Sequence, residues 1–580
     1  MTCELVADQR SAATTRLPGL YAICIICAAA VVFSLPMLIY GPYPKAHDVY
    51  EHLTYNRHFS EQLWAGEWYP RWLIGINHGL GSPAFFVFPP FQAYLYAILY
   101  PLSRTLHLDT FVAEEFLVLV ASGVCAFVWL HTFAKGRIAI AGAVFYMLVP
   151  YHLAVDFYLR NALPECWALA WIPLLLYCTT KIMDRTRGAM VSFAVVYALL
   201  ILSHLVSVLI FSPIPLIAAL FLARKGYKLR SVRGIVEGMF LGTGLSCFYL
   251  IPALRHAEDF PPERLLTPPS QYLVSYLIGK QSLLLSPPFF QLVAVTALDA
   301  IAVCVLCAVA VFVKGRPDSK KAVCFWLAVC MATALMMFSF SYPIWRSLPA
   351  LLEAVQYPFR LNIILCIAQI AIITVFLSEA TRTTRFVSGI GPLVLLVVVP
   401  WAISYSMMWG DYLQEGNPRA ELASHLDGQF IDDGWFECWT VPGLDEERAL
   451  RASLGPPVRF TAGTGTATVI VWAPRHIEFA TNSSTGGQVM VNQLYYPAWQ
   501  AALVSSAQRL GTSAAMPEGL IAVSVPPGQE QVRLDIPVEP AEYAGRCISA
   551  LCVLLCVVLV WRNARMAGDK KSRSADATSG

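Results

Sequence analysis

Long apolar runs, most of them closed by a short cluster of Lys and Arg, govern what this chain can become. A helix that crosses a bilayer needs about 20 apolar residues. Runs that meet or approach that length recur at 18–40, 110–133, 137–153, 166–182, 188–204, 206–223, 234–253, 291–314, 322–341, 361–378, 387–408 and 545–562. Only 14% of the 580 residues are charged, against roughly 25% in soluble domains. The chain therefore reads as an α-helical polytopic membrane protein of about 12 spans. Positive charge is retained in the cytoplasm. With the N-terminus inside, Lys135/Arg137, Lys181/Arg185/Arg187, the cluster from Arg224 to Arg233, Lys314/Arg316/Lys320/Lys321, Arg382/Arg385 and Arg562/Arg565/Lys570/Lys571 all fall on that side. Both termini are then cytoplasmic, in a plasma (inner) membrane protein whose first run, lacking a small-residue cleavage site, reads as a retained anchor.

The net charge of +3 is too small and too dispersed to suggest a nucleic-acid partner. Most of the 16 Cys, such as Cys24, Cys27, Cys304, Cys307, Cys552 and Cys556, lie inside apolar runs without zinc-site spacing. They read as packing residues. Cys438 stands alone in the large polar region, which argues against a disulfide framework there.

Residues 1–408 form the membrane domain in this reading, with an external loop at 41–83. The apolar stretch 84–103 is long enough to span, yet a crossing there would put Lys135/Arg137 and Lys181/Arg185/Arg187 on opposite faces. It is therefore expected to lie in the outer interface. From 409 to 543 the pattern changes to period-two alternation, at 466–472, 488–496, 520–525 and 531–536, broken by Gly, Pro and Ser turns. That predicts an extracytoplasmic β-sandwich. A last span at 544–562 and a disordered tail at 563–580 complete the chain. Two charges sit deeper in spans, Glu237 and Asp299, and without a relay between them they read as packing or cavity-lining groups.

The external loop concentrates chemistry: His47, Asp48, Glu51, His52, Arg57, His58 and His78 lie within Gly41 to Pro83. If 48–63 is helical, Asp48 and His52 are one turn apart on one face, as are His47 and Glu51, an arrangement suited to proton transfer. The alternative is a solvated amphipathic connector anchored by Trp64, Trp68, Tyr69 and Trp72. By position alone, Arg160 and Arg360 at outer span ends read as arginines that snorkel to the headgroups. His204, at the outer end of its span, reads as a packing histidine ahead of a catalyst.

A first span, a long external loop with an acidic residue near its start, a horizontal apolar helix, then two spans joined by a short basic turn: this layout resembles the C-type (GT-C) membrane glycosyltransferases. The likeness is best over Gly41 to Tyr177. AlaHisAspValTyrGluHis at 46–52 stands where the family carries its first acidic motif, and AspPheTyrLeuArgAsnAlaLeuProGlu at 156–165 stands in the second external loop. SerHis at 203–204, GlnTyrProPheArg at 356–360 and TyrTyrProAlaTrp at 495–499 resemble a narrower group, the bacterial and archaeal pyruvoyl-tetrahydropterin-synthase-related membrane proteins. The resemblance implies a polyprenyl-phosphate-linked sugar donor, a glycan, lipid or protein acceptor, and contact with membrane lipids. It implies Asp48 as base, with His47, Glu51 and His52 beside it, Arg160 and Arg360 on the donor phosphate, and Glu165, His204 and Tyr357 in support. Oligosaccharyltransferases in that superfamily pair acidic residues on a divalent metal. Here Asp48 is flanked by His47, and Asp156 and Glu165 are nine positions apart. The cofactor therefore stays unassigned, and these spacings do not require a metal. A transporter or flippase would show polar groups through the midplane rather than on one face, and a noncatalytic envelope-assembly protein is the third reading.

The topology makes a direct prediction. A cysteine engineered near Gly486 should be labelled by an impermeant reagent on intact cells, and a reporter fused after Arg104 should read external. Labelling only after lysis, or a cytoplasmic reporter, would overturn the orientation.

Overall fold

The computed structural model describes residues 19–43, 45–257, 259, 276–277, 288–348, 355, 357–381, 402, 405–406, 410, 454–515 and 519–576. Among these, eight helices are long and apolar enough to cross a membrane: Thr110–Leu130, Gly136–Arg160, Leu163–Met183, Leu205–Leu222, Phe289–Lys314, Pro317–Met336, Pro358–Ala380 and Pro540–Arg565. Lys228–Leu245 and Cys247–Ala257, bent by 73°, make a ninth if they form one broken span. The other expected runs fall short for local reasons. The run at 18–40 breaks at Ser34, so Gly19–Phe33 is followed by a separate short helix, Leu35–Tyr40, with Pro36 in its first turn. Ala189–Ser203 stops where His204 turns extended, at φ −154 and ψ 103. The run at 387–408 lies largely outside the described residues, as do Arg382, Arg385 and Cys438.

Pro358–Ala380 is apolar all round and 89% of its core window is buried, so it forms the centre of the bundle. For Pro540–Arg565 the figure is 11%, which puts it at the edge. The helix that begins at Pro540 runs on to Asp576, where a disordered tail was expected beyond Arg562. Extending an existing helix through Ala, Arg, Lys and Met avoids the nucleation cost that a free segment would meet. The stretch 84–103 is split by Phe88, Pro89 and Pro90 into Ala84–Val87 and the 15-residue Phe91–Thr105. Neither piece reaches the about 20 residues a crossing needs.

Among the described residues seven antiparallel strands follow: β1 Val458–Ala473, β2 His476–Leu494, β3 Gln500–Leu503, β4 Arg509–Leu510, β5 Thr512–Ala515, β6 Leu520–Val525 and β7 Gly528–Asp535. Instead of the two separate sheets of a sandwich, they form one hydrogen-bonded sheet organised about β2. The first half of β2 pairs with β7, the second half with β6, and β1 accompanies both. The change of partner falls at Gly487, whose φ of +154 and whose missing Cβ, which would sit 2.0 Å from the Ala462 oxygen, allow the strand to bend. Residues 411–453 of the expected β region lie outside the described residues.

The sheet does not stand apart from the loop at 41–83. Trp72, Leu80 and Phe86 share one apolar core with the sheet residues Ile477, Phe479, Val491 and Leu534. Trp72 Nε1 donates to Gln493 Oε1 at 2.8 Å, Gln493 Nε2 donates to the Gly79 carbonyl at 2.6 Å, and the Leu494 amide to that of Leu80 at 2.7 Å. Gly81 is required here: at φ +83 a Cβ would lie 2.5 Å from Gln493 Oε1 and 2.7 Å from the Trp72 ring. The TyrTyrProAlaTrp segment turns out to be part of this joint, with Trp499 edge-on to Trp72 at 5.2 Å and Tyr496 over Phe86 at 5.3 Å.

A buried carboxylate closes the joint. Glu542, at the start of the last helix, is fully buried and accepts from Arg71 of the loop at 3.1 Å, Arg475 of the β1–β2 turn at 2.8 Å and Arg546 of its own helix at 3.1 Å. Arg71 also donates to the Phe248 carbonyl at 2.9 Å, tying in the bent helix pair, and lies 4.0 Å over the Tyr69 ring. Removing one partner of a buried ion pair costs about 3–5 kcal/mol, because the other is left uncompensated. Glu542→Ala should therefore lower the apparent melting temperature in detergent and expose the 536–540 connection to protease. Unchanged melting and unchanged proteolysis would show that the hub does not hold the sheet to the helices.

Candidate functional site

The span that starts at Gly136 changes at Pro150 from α to π geometry, over Tyr151–Arg160. Such stretches are rare and widen the turn. It ends on Asn161, left-handed at φ 51, and Leu163 opens the next helix with Pro164 and Glu165 in its first turn. This sharp reversal brings Asp156, Arg160 and Glu165 together inside the protein. Arg160 Nη1 donates to Asp156 Oδ1 at 2.5 Å and to Glu165 Oε2 at 2.8 Å, and the Tyr151 hydroxyl donates to Glu165 Oε1 at 3.0 Å. All four residues are buried. One guanidinium thus bridges two buried carboxyl groups and offsets one negative charge between them, in a place where an unpaired charge would be costly.

The acidic loop is pinned to this reversal through its backbone. The His47 amide donates to the Leu159 carbonyl at 3.2 Å and the Asp48 amide to the Arg160 carbonyl at 2.9 Å. Asp48 sits just before the helix Val49–Trp64, half-exposed, and its side chain makes no capping bond. The expected helix over 48–63 is present, with Glu51 in its first turn. His47 faces outward with its ring edge 4.5 Å from Phe289. Its pKa is lowered by burial, an effect the Asp48 charge partly offsets. His52 points inward, is 4% exposed, and its Nδ1 meets Gln92 Nε2 at 3.2 Å. Burial brings its pKa down to about 4, so its imidazole is neutral at pH 7.

Pro358–Leu361 begins the central helix and supplies Arg360. Arg360 lies 5.8 Å over the Tyr357 ring, which itself stacks on Phe359 at 5.3 Å. Its Nε is buried without a hydrogen-bond partner. His204 occupies the break between two helices with Nδ1 2.7 Å from Ser207 Oγ. Asp48 lies within electrostatic range of both Arg160 and Arg360, and Arg360 and His204 lie within range of Glu165. The sequence-derived candidates therefore converge on one region, although they come from four separate stretches of chain.

Sequence reasoning missed a second buried acidic pair. Glu114 and Glu115, near the start of Thr110–Leu130, are 0% and 2% exposed. Asn56 Nδ2 of the loop helix donates to Glu114 Oε2 at 3.2 Å, and Asn161 Nδ2 to Glu115 Oε1. Among the described residues, Glu114 Oε1, Glu115 Oε2, Asn56 Oδ1 and Asn161 Oδ1 have no hydrogen-bond partner. The signal was the GluGlu dipeptide itself, because an ionisable pair inside an apolar run is functional by default. Glu237, by contrast, forms an exposed pair with Arg233 at 2.7 Å, an ordinary helix-surface contact. Among the described residues no three His, Cys, Asp or Glu side chains are grouped as metal ligands.

Comparison with known proteins follows from this geometry. No curated protein matches the chain. Two cryo-electron-microscopy structures of the arabinofuranosyltransferase AftD from Mycobacteria, one of a mutant, align at TM-scores of 0.42 and 0.41 with 13% identity. Each alignment covers 67% of this chain but only 28% and 27% of theirs, so the chain spans under a third of their length. A family model described as a 6-pyruvoyl-tetrahydropterin synthase related domain, membrane protein, matches residues 85–411. The chain belongs to that family of membrane proteins.

Proposed function

We propose that this protein is a GT-C-type glycosyltransferase that moves a sugar from a polyprenyl-phosphate-linked donor to a glycan, lipid or protein acceptor outside the cytoplasm. One observation carries the reading. Asp48 is a half-exposed carboxylate held by its backbone within electrostatic reach of two arginines, and of these two, among the described residues, only Arg160 is in ion pairs with neighbouring acids. Arg360 keeps a buried, unpaired Nε, which favours an incoming anion.

The chemistry runs as a substitution at the anomeric carbon. An acceptor hydroxyl oxygen forms the new bond to that carbon while the bond to the lipid phosphate oxygen breaks. Asp48 takes the hydroxyl proton, and the phosphate leaves with the electron pair. Arg360 meets that growing charge, its plane supported by Tyr357. Arg160, committed to Asp156 and Glu165, acts as a positioning residue whose carbonyl fixes the Asp48 backbone. His52 is neutral at pH 7 and bonded to Gln92, so it shapes the site rather than competing for the proton. On this reading the loop at 41–83, the sheet and the acidic site lie outside a plasma membrane, and both termini lie in the cytoplasm.

Purified protein incubated with a panel of polyprenyl-phosphate sugars tests the activity. Asp48→Asn keeps shape and removes basicity, and it should cost at least the ~10²-fold in turnover typical of positioned acid–base help, with donor affinity little changed. Arg360→Ala should weaken donor binding as well as turnover, since a phosphate partner acts in both states. Near-wild-type turnover in a folded Asp48→Asn variant would remove that carboxylate from the mechanism.

A further inference from the structure

The far end of the bundle holds an unassigned cavity. The span that ends at Arg160 begins at Gly136, and there a cavity of about 1000 Å³ opens between helices, with Phe127, Ile138 and Ile140 among its walls and Lys135, Arg137 and Arg316 at its edge. The two basic turns that meet in it are built differently. Arg316 precedes the helix Pro317–Met336 and carries its own counter-charge: Glu379 Oε1 accepts from Arg316 Nε at 3.0 Å and from Ser319 Oγ at 2.8 Å.

Lys135 precedes Gly136–Leu148 in the same extended conformation, at φ −69 and ψ 153, and its side chain makes no capping bond. Lys135 and Arg137 are exposed, and among the described residues neither is in an ion pair. The first amides of that helix add partial positive charge on the same side. Among the described residues, one basic turn of the cavity is thus balanced by a carboxylate and the other stands without one beside an apolar wall.

We propose that this cavity binds the phosphate headgroup of an anionic phospholipid of the surrounding leaflet, with Lys135 and Arg137 on the phosphate and an acyl chain along Phe127, Ile138 and Ile140. A ligand with both an anionic head and an apolar tail matches the two faces of the cavity, whereas inorganic phosphate matches only one. Basic pockets between spans on the cytoplasmic side recognise headgroups in this way, and the distribution of Lys and Arg assigns this end to the cytoplasm. The inference does not depend on glycosyl transfer.

The test uses full-length, delipidated protein in detergent, titrated with phosphatidylglycerol, phosphatidylcholine or inorganic phosphate while the apparent melting temperature is followed. Phosphatidylglycerol should raise it saturably, and the other two should not. At about 1 kcal/mol per basic residue, Lys135→Gln with Arg137→Gln should raise the midpoint of the titration roughly 30-fold. Arg224→Gln with Lys225→Gln, in another basic turn, should leave it unchanged. Raising ionic strength to about 0.5 M should weaken the wild-type response, which keeps the test decisive if the double variant does not fold. An equal shift with phosphatidylcholine or with phosphate, an unmoved midpoint in the Lys135/Arg137 variant, or no effect of salt would each overturn the proposal.

Discussion

Arg160 is shared between two buried carboxylates, and the geometry of the whole site follows from that sharing. Charges taken out of water are tolerated only when paired with good geometry, so Asp156, Arg160 and Glu165 must stay within hydrogen-bond distance. The chain meets the requirement by passing into π-helix at Tyr151, turning through left-handed Asn161 and restarting at Leu163. That reversal directs the Leu159 and Arg160 carbonyls at the amides of His47 and Asp48. The loop carboxylate is therefore positioned by main-chain bonds that leave its own oxygens uncommitted as helix caps.

The same principle recurs at the junction with the sheet. Glu542 gathers arginines from the loop, from the β1–β2 turn and from its own helix, so three parts of the chain far apart in sequence share one buried counter-charge. Around it, Trp72, Phe86, Tyr496 and Trp499 provide the apolar contact. The sheet is consequently a fixed wall of the loop at 41–83, which carries Asp48 at one end and Arg71 and Trp72 at the other. Disturbing the sheet should propagate to the loop through Gln493 and Gly79 before it reaches any helix.

Much of the helical plan was legible in the sequence because it depends on composition summed over about 20 residues. The alternation of the strands was legible for the same reason, whereas their assembly into a single sheet was not. That depends on one strand changing partner at Gly487, a matter of backbone space that no local pattern records. Among the candidate site residues, Asp48, Arg160, Glu165 and Arg360 stood out in the sequence because charge is scarce in this chain. Glu114 and Glu115 were passed over because they fell inside a run already read as a plain span, and their partners Asn56 and Asn161 come from elements 58 and 46 positions away. The role of TyrTyrProAlaTrp in docking was equally hidden, since Trp72 and Phe86 are more than four hundred residues earlier.

Pairing, rather than the mere presence of charge, separates structure from function in this protein. Arg160, Arg71 and Arg316 each have protein carboxylates within 3.1 Å, and each fixes a joint: the reversal, the sheet contact and the start of a span. Arg360 keeps a buried donor without an acceptor, and Lys135 and Arg137 stand beside an apolar cavity without a counter-charge among the described residues. A matched cation gives up its field to its neighbour, while an unmatched one retains that field for whatever anion arrives. Both proposed ligands carry a phosphate on an apolar tail. They would approach from opposite faces of the membrane, one to react at Arg360 and the other to remain bound at Lys135 and Arg137.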